Sequence, residues 1–513
     1  MPTEYFEQRE RALLGDRYDV LYAAPQETAE RGVTVSVLRT TPEQFAQKAD
    51  FPLEASPFCK AAFVVHQPEF KPGRHPYHHA GVFYSQEPSA ASAAPLLGVQ
   101  PGMRVLDLCA APGGKSSQLA AALQGRGVLV SNEYVAARAE ILKSNLERMG
   151  VSNAVMLNET PARIADALPE FFDRVLVDAP CSGEGMFRKE PVARQQHCEA
   201  LVRQCAELGA QILDCAAVVL APGGQLVYST CTFAPEEDEG QVAAFLQRHP
   251  EFALVDALGN VDYTFGSEGE ANRTGGLPLA VSKVRRIWPC QGGEGHFMAR
   301  FIKAGSPRIL PPEGEYTPEE QLWLAAAAET AKKSKAKGSK LARAMDARSA
   351  RRADSRACRD AVQGGSRRTR DAGAREATPA QSLTAWKEFA QQYFPVLADR
   401  PAVVHGGGVL LPVAFPQTNL HVLRAGVFVG SVQKGHFVPE HHLFTAFGAQ
   451  CMNREELTLS DPRCVEYLSG REIRAVTAAD GWCCVIVDGW PLGGGKVSAG
   501  QVKNHYPKAL RLL

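Results

Sequence analysis

Val105-Leu106-Asp107-Leu108-Cys109-Ala110-Ala111-Pro112-Gly113-Gly114-Lys115-Ser116 is a short apolar run that breaks into small residues and then into the helical pattern Ser117 to Leu123. It reads as a buried strand, a tight turn and a helix. Small residues at the carboxyl end of a strand let the backbone approach a ligand closely, and the following helix offers free N–H groups. In a doubly wound sheet a nucleotide-like cofactor sits at that place. The stretch is neither Gly-x-Gly-x-x-Gly nor Gly-x-x-x-x-Gly-Lys, which argues against a nicotinamide site and against a phosphate-cradling P-loop.

The same alternation continues towards the carboxyl end. Val128-Leu129-Val130, Val155-Met156-Leu157, Arg174-Val175-Leu176-Val177 and Gln225-Leu226-Val227-Tyr228 read as buried strands. Helical patterns over Ala136 to Met149 and Cys198 to Leu220 lie between them. Strand and helix in alternation predict an α/β unit with a parallel sheet covered on both faces, spanning residues 88–304. Ahead of it, residues 1–87 mix amphipathic helix signals (Pro2 to Leu14, Thr41 to Lys48) with Pro-rich extended stretches such as His66 to Pro76. Beyond it, residues 380–513 carry short β-type runs broken by glycines: Val409 to Val413, Val427 to Val429 and Cys483 to Val487. These predict a small α+β or barrel-like module. No repeat of solenoid period is present.

Composition narrows the function classes. A chain of 513 residues holds about three domains at roughly 100 to 200 residues each. Apolar content of 45% and charged content of 22% are those of a water-soluble globular protein. No run of about 18 apolar residues exists, which excludes a membrane-spanning helix. The charged start, Met1 to Arg11, lacks the apolar core of a secretory signal. Thirteen cysteines, scattered from Cys59 to Cys484, include no Cys-x-x-Cys pair. Free thiols in a reducing cytoplasm are expected, with no disulfide framework and no metal site. The net charge of zero conceals a block from Lys332 to Glu376 with 15 Lys and Arg against 5 Asp and Glu, which leaves −10 for the remainder. A basic block predicts a polyanionic partner; a solvated tether rich in Ala, Ser and Gly over residues 325–379 is the simpler reading.

Further strand ends line up with the glycine turn. Ser131-Asn132-Glu133 puts a carboxylate about 20 residues beyond it, where a ribose diol would be held. The alternative is a carboxylate that starts the next helix. Asn158-Glu159-Thr160 follows the third strand and is placed to line the same pocket or to meet an adenine. The fourth strand ends in Val177-Asp178-Ala179-Pro180-Cys181-Ser182-Gly183-Glu184-Gly185 and the fifth in Tyr228-Ser229-Thr230-Cys231-Thr232-Phe233. A lone buried cysteine ordinarily serves as a small hydrophobe. Two cysteines at adjacent strand ends, beside Asp178 on the cofactor rim, read as reactive thiols, with Arg188 and Lys189 as cations able to favour a thiolate or hold the arrangement.

On these motifs the chain resembles the Nol/Nop/Sun family of RNA cytosine-5 methyltransferases, in its RsmF-like ribosomal RNA branch. Asp107 to Ser116, Asp178 to Lys189, Ser229 to Phe233 with the acidic run Pro235 to Glu239, and His79 to Ser89 carry the likeness; Lys503 to Lys508 resembles the branch's C-terminal ending. The resemblance implies a Rossmann-like, S-adenosylmethionine-dependent methyltransferase core with a mostly parallel seven-stranded sheet. Around it the family places small N-terminal and C-terminal α+β RNA-binding domains, here residues 1–87, a pre-PUA-like module at 380–455 and a PUA-like module at 456–513. It implies Cys231 as nucleophile, Cys181 as the residue assisting release, and Asp178 as an acid on the target base, with Lys189 a weaker addition. Cys109, Ala110, Ala111, Pro112, Gly113, Gly114, Lys115 and Glu133 would bind S-adenosylmethionine, with Asn158, Glu159 and Asp178 lining the pocket. Relatives often carry an aspartate after the third strand, where this chain has Asn158-Glu159-Thr160. The expected partner is RNA, ribosomal RNA or a ribosomal subunit, met by a cytoplasmic monomer. The Gly489 to Lys496 turn and Lys503 to Lys508 would meet phosphate and base edges; a glycine-rich hairpin with no ligand is the alternative.

Overall fold

A computed structural model of the chain describes residues 3–25, 31–67, 69–333 and 377–512, the side chains of 328–333 excepted. Most of the basic tether, 334–376, lies outside the described residues. Its first residues belong to a helix, Pro318–Lys333, and the chain resumes in another, Pro379–Tyr393.

The five predicted strands form the centre of the molecule: β1 (Arg104–Asp107), β2 (Val128–Asn132), β3 (Ala154–Leu157), β4 (Phe172–Asp178) and β5 (Leu220–Thr230), all parallel. With β6 (Phe252–Val255) and β7 (His296–Lys303) they run in the order β3-β2-β1-β4-β5-β7-β6. Strand β7 is antiparallel to β5, and β6 is antiparallel to β7. The order reverses direction between β1 and β4, which opens a crevice at their carboxyl ends. Alternation along each strand sorts the apolar residues to two faces. Val105, Leu129, Met156, Leu176 and Val227 pack against helices α1 (Gly114–Leu123) and α2 (Ala136–Arg148). Leu106, Val130, Val155, Val175 and Leu226 pack against α3 (Pro161–Ala167), α4 (Glu199–Val219) and α5 (Glu239–Arg248). Helix α4 shows why it lies flat on the sheet: Val202, Gly209, Ile212, Leu213, Ala216 and Val219 recur at helical spacing and are buried.

The mostly parallel seven-stranded sheet is present, and it is extended. Arg285–Ile287 pairs with β7, and Val422–Ala425, from the C-terminal region, pairs antiparallel with β3. The polar, half-exposed run His421-Val422-Leu423-Arg424 gave no strand signal of its own. It is a strand because β3 offers it an open edge.

The N-terminal region folds as a four-stranded antiparallel sheet (Gly32–Val35, Leu53–Ala55, Ala62–Val65, Phe83–Ser85) with the predicted helices at Glu4–Leu14 and Pro42–Lys48. The C-terminal region holds a four-stranded and a five-stranded sheet. The two ends of the chain share one core, in which Phe45, Tyr77 and Phe83 meet Val485, Trp490 and Tyr506. Trp490 Nε1 donates to Arg39 O at 3.1 Å, and Tyr77 Oη donates to Asp488 at 2.8 Å. The glycine-rich segment is therefore an interior strand, Trp490–Ser498, and not an exposed RNA loop. A side chain at Gly494 would collide with Phe444. Lys496 and Lys503, paired across the two strands, remain exposed.

Candidate active site

The glycine turn is built for close approach. Gly113 sits at φ +115°, a conformation that side chains other than glycine's disfavour, and a Cβ on Gly114 would come within 3.0 Å of Gln86 Oε1. Gly113 caps α1 without a side-chain acceptor, so the N–H groups of the first turn face the crevice. Beneath them Asp107 is fully buried. Its Oδ2 accepts from Ser116 Oγ at 2.7 Å, while its Oδ1 has no partner among the described residues. Burial pushes this carboxyl up to about 7. Burial likewise raises the Cys109 thiol.

Glu133 starts the next helix and also stands on the rim of the crevice. Its Oε1 accepts from the Val135 N–H at 2.8 Å at the start of α2, and the carboxylate, 5% exposed, lies at the carboxyl end of β2 on the same rim. An unpartnered buried carboxylate oxygen, free helix N–H groups and an acidic residue on the next strand end fit a nucleoside-bearing sulfonium cofactor. The expectation for Asn158 and Glu159 requires correction. Asn158 Nδ2 donates to Glu133 O and Tyr134 O, both at 2.8 Å. Glu159 accepts from the His421 N–H at 2.6 Å and faces Arg163 at 3.2 Å. The Glu159 carboxylate holds the added C-terminal strand to the sheet edge and the Asn158 amide braces the turn after β2, so the adenine contact for which sequence placed them is not evident.

Strands β4 and β5 end side by side, with Asp178 opposite Ser229 in the register. Asp178 Oδ2 accepts from Lys115 Nζ at 2.7 Å and Oδ1 accepts from Ser229 Oγ at 2.7 Å. Burial alone would raise the Asp178 carboxyl. The charge of Lys115 and the hydrogen bonds from Lys115 and Ser229 outweigh it and hold the group below its ordinary value. Lys115 shows the complement: burial lowers it, but Asp178 outweighs that and raises it. In the resting site, then, the proton sits on Lys115 and Asp178 is a carboxylate. The cation paired with it is Lys115. Lys189, with an exposed side chain and no ion pair among the described residues, is not part of the cluster.

Just beyond the strand ends, Cys181 Sγ and Cys231 Sγ lie 3.4 Å apart as free thiols, both partly exposed. Contact with Cys231, then burial, pushes the Cys181 thiol well above its ordinary range. Ser182 Oγ and Thr232 Oγ1 lie 2.7 Å apart beside them. A Cβ on Gly185 would come within 3.0 Å of Cys231 O, so the turn after Cys181 closes on the Cys231 segment only because residue 185 has none.

Sequence reasoning passed over the groups that clamp these loops. Glu184, 3% exposed, accepts two bonds from Arg9 at 2.7 and 2.8 Å, one from the Phe233 N–H at 3.0 Å, and lies 2.7 Å from His197 Nε2. Arg9 comes from the first helix of the chain, and its pattern there is only that of a surface cation. Burial raises the Glu184 carboxyl, but His197 and Arg9 overcome it and hold it down to about 2. Its contribution to stability is present above the ordinary carboxylate value and is lost as pH falls through about 2. Glu184→Gln removes one of the two carboxylates that hold the Arg9 guanidinium, Glu10 being the other, and should cost about 1–3 kcal/mol in chemical denaturation at neutral pH. A cost within about 0.5 kcal/mol would show the clamp to be dispensable.

An open α/β sheet of this order, with a glycine-rich turn after β1 and two close thiols after β4 and β5, defines the class: S-adenosylmethionine-dependent methyltransferases. Within it, the chain belongs to the 16S rRNA methyltransferase RsmB/F family, whose model matches residues 94–302. Residues 1–88 match the N-terminal domain of 16S rRNA methyltransferase RsmF, and residues 454–512 match the methyltransferase RsmF PUA domain. The ribosomal RNA small subunit methyltransferase F of Serratia proteamaculans is 33% identical over 61% of this chain and 64% of its own length. The protein of the same description from Erwinia tasmaniensis is 32% identical over 64% of this chain and 70% of its own. The matched part of the chain thus spans roughly two thirds of these relatives. Among solved structures, a methyltransferase homolog protein from Pyrococcus horikoshii is 27% identical, with a TM-score of 0.51, over 59% of this chain and 95% of the other.

Proposed function

We propose that this protein methylates carbon 5 of cytidine in RNA, 16S ribosomal RNA or the ribosomal small subunit containing it, through a covalent adduct at Cys231. The observation that carries the reading is the pair of thiols 3.4 Å apart, next to the Lys115–Asp178 ion pair, on the rim of the cofactor crevice. Bound there by Cys109 to Lys115 and Glu133, S-adenosylmethionine supplies an electrophilic methyl group. Carbon 5 of cytosine is too weak a nucleophile to take it unaided. Attack of the Cys231 sulfur on carbon 6 forms a carbon–sulfur bond and moves electron density to carbon 5, splitting one hard step into two easier ones. Asp178 and Lys115 face the ring nitrogen where negative charge builds, and the Lys115 proton, passed through Asp178, neutralises it. After methylation a base takes the carbon-5 proton, the carbon–sulfur bond breaks, and Cys181 attends the departing sulfur. A stacked base cannot reach these groups, so the target is single-stranded or flipped into the crevice.

The protein acts as a cytoplasmic monomer in this reading. No helix among the described residues is long and apolar enough to cross a membrane. RNA contacts fall to the flanking regions, where Lys496 and Lys503 present exposed charge on the module that matches a PUA domain. Incubation of the protein with isotopically labelled S-adenosylmethionine and 16S rRNA, followed by nucleoside analysis, should put the label in 5-methylcytidine. Label in another nucleoside, or in protein alone, would overturn the reading.

A further inference from the structure

His296 opens β7 beside the catalytic cluster, and the chemistry above leaves it unused. The β5–β7 register pairs Phe297 with Thr230 and Met298 with Ser229, so one residue further places His296 opposite Cys231. Directly opposed residues of an antiparallel pair share a face. That face also carries Ser229, which holds Asp178. The His296 side chain is 2% exposed, and neither ring nitrogen makes a hydrogen bond of good geometry among the described residues, the adjacent Gly295 backbone being a weak contact only. Its Nε2 stands 3.9 Å from Asp178 Oδ1, just outside hydrogen-bond distance. A buried polar group without a partner costs folding free energy, and its presence calls for a functional explanation. The charged groups facing the ring are Lys115 and Asp178. Burial, then Lys115, hold the imidazole down to about 3, so at neutral pH it is uncharged, with one donor and one acceptor nitrogen.

We propose that His296 is a positioning residue for Asp178: when a target base draws the carboxyl away from Lys115, the neutral ring closes the gap and hydrogen-bonds it. An imidazole suits this place because it serves both states of Asp178. Its Nε2–H donates to the carboxylate, and the same nitrogen, once a change of tautomer has moved the proton to Nδ1, accepts from the acid formed when the Lys115 proton has passed to Asp178. A second lysine would only donate, and would fix Asp178 as a carboxylate. His296 gains and loses no net proton in the cycle. The inference rests on the cytosine reading.

The test uses the full-length protein with 16S rRNA, comparing wild type, His296→Phe, His296→Leu and His296→Gln. Both apolar variants should lose about 10- to 100-fold in kcat, with KM for RNA and Kd for S-adenosylmethionine changed less than about threefold. His296→Gln, which keeps one donor and one acceptor, should recover most of kcat. Two apolar replacements keep the comparison open if one fails to fold. Wild-type kcat in either folded apolar variant overturns the proposal, as does a glutamine variant no better than the apolar ones. Absence of 5-methylcytidine from the wild-type reaction overturns instead the cytosine reading, and this inference with it.

Discussion

Cys231→Ser should abolish methyl transfer, lowering single-turnover rates by about a thousandfold or more, while S-adenosylmethionine binding stays within about twofold of wild type. The substitution changes one atom at the end of β5, outside both sheet cores, so the fold has no reason to respond. The hydroxyl is a far weaker nucleophile than a thiol because it ionises so much less readily. Among the described residues, the neighbourhood of Cys231, with Lys115 paired to Asp178 and Cys181 alongside, contains no imidazole within hydrogen-bond distance to activate it. In the proposed reading, cofactor binding falls to the β1 turn and Glu133, on other strand ends. Calorimetric titration of the cofactor alongside a labelled-methyl assay separates the two. A parallel loss of binding and rate would mean that Cys231 shapes the cradle and does not attack the base.

What sequence could and could not disclose follows from the range of the interactions involved. The five parallel strands and the helices between them were legible because their apolar periodicity is local, and a sheet buried on both faces demands it. The juxtaposition of Cys181 with Cys231 was inferable because strand ends of a parallel sheet share one rim. Lys115 was read only as part of the glycine turn, since nothing in Gly113-Gly114-Lys115-Ser116 tells that its ammonium reaches across to β4. Lys189, nearer to Asp178 in sequence, was the natural but mistaken choice of cation. His296 gave no signal at all, because its partners are met only through the antiparallel return of β7. Asn158 and Glu159 show the opposite failure. Their position predicted a ligand contact, but a strand from more than 260 residues downstream claims the Glu159 carboxylate, and the end of β2 claims the Asn158 amide. The glycines from Gly493 to Gly495 looked like a phosphate loop, and serve close packing of a strand against Phe444 and Val502.

Cys181→Ala should trap the reaction after methylation, as a protein–RNA adduct that survives denaturing electrophoresis. The reason lies in which sulfur carries the proton. Contact with Cys231 and burial both favour the protonated form of Cys181, so it stands as an S–H donor 3.4 Å from the sulfur that must leave carbon 6. A thiolate departing into a partly buried pocket needs such a donor, because the charge it would otherwise carry is poorly solvated there. Alanine removes the donor and leaves attack and methyl transfer intact. Turnover should therefore fall by roughly a hundredfold or more while the adduct accumulates to near one per protein. Adding Cys231→Ser to the same chain should erase the adduct, which fixes its point of attachment. If Cys181→Ala turns over at the wild-type rate with no adduct, departure of Cys231 needs no neighbouring thiol, and the close contact between the sulfurs is packing alone.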